Sequence, residues 1–133
     1  MKAALGTGNR LQDILVKHYK SGRSGNDVLR LSREQAINEG ITPSIYTHPI
    51  GYHGHAAGAT IGLWDQQDGV KGRGDYPIKP NTAWSIELSI LQNIPEWDNQ
   101  QIRIMLEEDG YFRGQDFFYL DGRQKNFHLI PRQ

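Results

Sequence analysis

The chain has 133 residues, the size of one domain or part of one. Fifteen Lys and Arg balance fifteen Asp and Glu, so a whole-chain basic field for gripping nucleic acid is absent. Apolar residues make up 37%, and no apolar run approaches the ~20 residues that span a bilayer. There is no cysteine, which excludes disulfides, thiolate metal sites and cysteine nucleophiles.

The start, Met1-Lys2-Ala3-Ala4-Leu5-Gly6, lacks the apolar core of a secretory signal. The compartment stays open, because a cysteine-free chain folds in any redox environment. Ala4, Leu5, Leu11, Ile14, Leu15, His18 and Tyr19 recur at helical spacing. Ser21-Gly22-Arg23-Ser24-Gly25 breaks that run. A second helix follows, capped by Ser24 or Asn26, with Val28, Leu29, Leu31, Ala36 and Ile37 as its stripe and Gly40 as its stop. Pro43 to Thr47 reads as a short strand, and Asp65 to Gly74 as an exposed polar loop.

Two strands then alternate. In 83–90, Trp84, Ile86, Leu88 and Ile90 share one face, with Ala83, Ser85, Glu87 and Ser89 on the other. In 102–108, Ile102, Ile104, Leu106 and Glu108 oppose Arg103, Met105 and Glu107. Pro95 to Gln101 is a loop and Asp109-Gly110 a turn signal. Tyr111–Tyr119 and Asn126–Ile130 are further strand candidates. The expected class is α+β, two N-terminal helices packed on an antiparallel sheet.

Three of the five histidines, His48, His53 and His55, fall in one short Gly-rich stretch. Neutral imidazole is a common metal ligand, and the small residues Gly54, Ala56, Ala57 and Gly58 leave room for one. The other reading of that stretch is a loop of surface histidines. Glu87 sits mid-strand and Glu108 ends its strand. Each either meets solvent or faces a cleft where a cation offsets its desolvation.

This order of helices, Gly/His loop and two Glu-bearing strands resembles the C-terminal half of the pita-bread metallopeptidase family. That family includes methionine aminopeptidase, aminopeptidase P, prolidase and creatinase, and the Xaa-Pro-cleaving members look nearest. His55-Ala56-Ala57-Gly58 matches the family's H-x-x-G segment, and His48-Pro49-Ile50-Gly51 an upstream loop His. Ser85-Ile86-Glu87-Leu88-Ser89 matches its S-(I/M)-E-P-G-like strand, Glu108-Asp109 its final E-D pair, and Asp121-Gly122 the turn of its last hairpin. The resemblance implies one domain over 1–133, the C-terminal portion of a catalytic domain that hydrolyses N-terminal Xaa-Pro bonds when complete. It implies His55, Glu87 and Glu108 as ligands of divalent manganese, cobalt or zinc, with His48 or His53 as catalytic residues that steady the tetrahedral intermediate. The substrate would be a peptide with Pro at its second position.

The departures are specific. The family's centre takes two Asp, one His and two Glu, and its strand aspartates have no counterpart before His55. Asp13 and Asp27 lie in the helix candidates. Leu88-Ser89 replaces the Pro-Gly after the strand Glu, and Ile61–Asp65 lacks the family's second His. The isolated chain is therefore expected to be inactive and to pair with an N-terminal half or a second copy. Trp84, Trp97, Phe117 and Phe118 serve either that interface or the core. A non-catalytic interaction unit is one alternative. Another is a cupin-like mononuclear metal site from His53, His55, Glu87 and His128, which needs a closed β-barrel.

Overall fold

The computed structural model describes residues 1–131. Two helices, α1 (Lys2–Lys17) and α2 (Gly25–Asn38), precede a sheet of four antiparallel strands. The strands are β1 (Thr42–Pro49), β2 (Thr82–Ile94), β3 (Gln100–Phe112) and β4 (Phe117–Tyr119), in the spatial order β1-β2-β3-β4. The α+β expectation holds, as does the placement of both helices. No helix is long and apolar enough to cross a membrane among the described residues.

The local chemistry explains the boundaries. Ser24 caps α2 by accepting from the Asp27 N–H at 3.0 Å, and Gly40 follows the helix with φ of 78°. Asn26, the other candidate cap, does something else. Its side chain accepts from Val70 N–H (2.8 Å) and donates to Val70 O (3.2 Å) and Asp75 Oδ1 (2.8 Å). It thereby holds the 68–75 loop against the start of α2. That loop is not wholly exposed as expected, since Val70 and Gly74 are buried.

The helices cover one face of the sheet. Leu5, Leu11, Ile14 and Leu15 of α1 meet Trp84, Ile86, Leu88 and Ile90 of β2 in one core with Ile45, Ile61 and Phe112. This face follows the alternation read from sequence. Trp84 is fully buried in it and Phe117 packs on it, whereas Trp97 and Phe118 stay largely exposed.

Three local expectations fail. Asp109-Gly110 is not a turn, because β3 runs through it and pairs with Ser85 and Trp84. The glycine is required there because the Phe117 ring lies where a Cβ would stand. Strand β4 is only three residues long, and Asn126–Ile130 forms no strand. The cupin reading also fails, since the sheet is open and four-stranded, and His128 lies exposed outside it.

Candidate functional site

The face turned away from the helices is polar, and the register places its members. Tyr46 stands opposite Glu87, His48 opposite Ser85, and Glu87 opposite Glu107. Directly paired residues point to the same side of a sheet. Tyr46, His48, Ser85, Glu87 and Glu107 therefore line one surface.

His48 is almost fully buried in that surface. Its Nδ1 lies 3.0 Å from the Pro49 carbonyl and its Nε2 lies 3.0 Å from Glu87 Oε1. A carbonyl only accepts, so Nδ1 carries a proton in that bond. His55 stacks on His48, with ring centroids 3.9 Å apart and planes 10° from parallel. Its Nε2 lies 3.2 Å from the Tyr46 hydroxyl. The loop returns His55 to the sheet through Ala56 N–H bonded to Pro49 O at 2.9 Å. Gly58 permits this return, with φ of 145° and Pro49 2.9 Å from where its Cβ would lie.

Two cavities are lined by members of this surface. One, of about 240 Å³, is bounded by Tyr46, His48, His55, Thr60, Arg73 and Tyr76. The other, of about 220 Å³, is bounded by Trp64, Glu87, Met105 and Glu107. Trp64 meets the Tyr46 ring edge-on at 5.8 Å and joins the two. Glu107 Oε1 accepts from Ser85 Oγ at 3.0 Å.

The structure thus gathers His48, His55 and Glu87, and leaves out two expected residues. His53 sits at the exposed tip of the loop, edge-on to Tyr52, away from the sheet. Glu108 points to the helix face, where its Oε1 accepts from Gln124 N–H at 2.7 Å. Glu107 stands opposite Glu87 in its place. Strand parity carried the signal: Glu87 belongs to the polar set of its strand, and Glu107, not Glu108, belongs to the polar set of the next. Tyr46, Trp64, Arg73 and Tyr76 carried no sequence motif and were missed.

The residues present do not fit the implied metal centre. Among the described residues, no group of three or more His, Asp or Glu is arranged to hold a metal ion. Each of the candidate donors already has a protein partner. Glu87 is engaged by His48, His55 by Tyr46 and Glu107 by Ser85, while Glu108 lies behind the sheet.

No protein-family model and no curated protein matches the chain. Among solved structures, the X-Pro aminopeptidase from Thermotoga maritima MSB8 is similar, with a TM-score of 0.67 at 20% identity. The match covers 97% of this chain and 33% of that one. The chain spans a third of the length of that enzyme, and what the two share is the fold: two helices on an open antiparallel sheet, similar to half of a pita-bread fold.

Proposed function

We propose that the chain is one portion of an Xaa-Pro aminopeptidase- or dipeptidase-like hydrolase, and that its polar sheet face is one wall of the peptide-binding cleft. In this reading residues 1–133 form the C-terminal part of the catalytic domain. The observation that carries it is the cluster of Tyr46, His48, His55, Glu87 and Glu107 on the face the helices leave bare, flanked by two cavities. The fold likeness to an X-Pro aminopeptidase supports the substrate class. A peptide laid across this face would meet hydrogen-bond acceptors at Glu87 and Glu107 and aromatic surface at Tyr46 and Trp64. In this reading the chain alone carries no hydrolytic step, because the two aspartate ligands of the family's centre have no counterpart before His55. Manganese, cobalt or zinc belongs to the complete enzyme in this reading.

The test joins binding to turnover. Titrating the labelled chain with an Ala-Pro tripeptide should shift the NMR signals of Tyr46, His55, Glu87 and Trp64. The same peptide, with each metal supplied, should not be cleaved. Shifts confined to other regions would remove the cleft assignment. Metal-dependent cleavage lost in Glu87→Gln would overturn the inactivity of the lone chain. A second reading is a non-catalytic interaction unit, since no three-donor cluster lies among the described residues. Peptide-independent partner binding, with no shift at the polar face, would select it.

A further inference from the structure

Beyond β4 the chain turns at Gly122, with φ of 78°, and residues 121–127 run back along α1 toward its start without regular structure. Few bonds hold them. Arg123 Nη1 donates to Asp13 Oδ1 and to Asn9 O (3.2 Å), and the guanidinium lies 5.1 Å from the Tyr119 ring centroid. The Asp13 side chain is 46% exposed, so solvent screens its pairing with Arg123. Gln124 N–H donates to Glu108 Oε1 at 2.7 Å, and Gln124 O accepts from Asn9 Nδ2 at 3.0 Å. Among the described residues, those two are the only backbone groups of 121–131 bonded outside the segment. Phe127 packs on the core, yet it and Leu5 bound a cavity of about 270 Å³.

The turn of α1 beside these anchors is polar and unpaired. Gln12 lies between Asn9 and Asp13, the two residues that Arg123 and Gln124 grip, and it is fully buried. Gly8, four residues earlier on the same face, lies against Leu106 and Ile104 of β3. Among the described residues, neither Gln12 Nε2 nor Gln12 Oε1 has a hydrogen-bond partner, and Asn9 Oδ1 has none either. A buried polar atom that gives up water without gaining a partner works against the closed state. Helix formation does not demand an amide there, because methionine is as good a helix former. The burial of Gln12 is made by this chain's own residues.

We propose that residues 121–127 are a strap that lifts off α1 while the helices and the β2–β3 hairpin stay folded. Arg123 is its clasp. The unpaired amide groups of Gln12 and Asn9 favour the lifted state, in which water reaches them. Clasp and polar floor oppose one another, so the closed state is held by a narrow margin. The device is separate from the peptidase reading, since none of its residues belongs to the polar cluster.

Hydrogen exchange of the whole chain, followed residue by residue by NMR at low urea, tests it. The Gln124 amide should exchange at least about tenfold faster than the Leu88 and Ile90 amides of β2, with little dependence on urea below the unfolding transition. Arg123→Met keeps the aliphatic stem and removes the clasp. It should speed exchange at Gln124 by about tenfold and leave Leu88 unchanged. Gln12→Met keeps the side-chain length without the amide. It should slow exchange at Gln124 and raise the melting temperature, a response that a merely loose loop does not give. A Gln124 amide that exchanges at the rate and with the urea dependence of Leu88 overturns the strap. A Gln12→Met chain that melts lower, or whose Gln124 amide exchanges as fast as before, overturns the role of the polar floor.

Discussion

Removing the Glu87 carboxylate should destabilise the chain in a graded way that the geometry fixes beforehand. Glu87 Oε1 and His48 Nε2 lie 3.0 Å apart, and the two side chains are only 18% and 7% exposed. A hydrogen bond to an ionised group contributes about 1.5–3 kcal/mol net. Glu87→Ala leaves the buried imidazole nitrogen without its partner and should cost about 2–3 kcal/mol. Glu87→Gln keeps an oxygen but loses the charge assistance, roughly half of the bond's strength, and should cost about 1 kcal/mol. Among the described residues Glu107 bonds only Ser85, and it is exposed, so Glu107→Gln should stay within about 0.5 kcal/mol. Urea midpoints at neutral pH read these values when the slope is unchanged. A cycle of Glu87→Ala with His48→Ala should give a coupling of about 1–2 kcal/mol. Coupling near zero, or a larger loss for Glu107→Gln than for Glu87→Gln, would refute the assignment of Glu87 as the buried partner of His48.

Gly110→Ala sets a Cβ against the Phe117 ring, so overpacking of about 1–3 kcal/mol outweighs the ~0.5–1 kcal/mol that alanine otherwise gains over glycine. Thermal melts should show a net loss that Phe117→Leu largely relieves. Ser24→Ala removes the acceptor for Asp27 N–H and should cost about 1 kcal/mol in urea melts, while Ser24→Gly should cost less. Burial holds the His18 imidazole below its ordinary range, partly countered by its bond to Gln35. The unfolded chain then takes up that proton first as pH falls. Stability is full above the ordinary histidine range and declines as pH drops through it toward the lowered folded value. His18→Gln should flatten that part of the stability–pH curve, and an unchanged slope would count against the burial effect.

The helices and the long hairpin were legible because each carries a strong period. Ile14 and Leu15 repeat at helical spacing, and Trp84 to Ile90 alternate as a half-buried strand must. Gly110 misled because Asp-Gly is the commonest hairpin signal, and the demand for glycine came instead from Phe117, seven residues away in a strand too short to announce itself. Glu108 misled for a different reason. Its parity was read correctly, but the polar face was not carried across from one strand to the next, and the register decides which carboxylate meets Glu87. His48 and His55 were found through their clustering, whereas their stacking, and the cavity walls at Arg73 and Tyr76, depend on long loop excursions that no local pattern encodes.

One amide in the first turn of α2 governs a stretch of chain more than forty residues away. Asn26 satisfies Val70 at both its N–H and its carbonyl, and also reaches Asp75, so the wall that presents Arg73 to the cavity is latched by this side chain together with the Thr60 N–H, which bonds Arg73 O at 3.0 Å. That makes the 68–75 segment a unit able to open by itself, at a cost set by these few bonds and the burial of Val70 rather than by the stability of the whole core. Asn26→Asp would replace a donor by a second negative charge facing Asp75 and release the latch. Lys71 and Arg73 would then become accessible to trypsin while the sheet and both helices stayed folded.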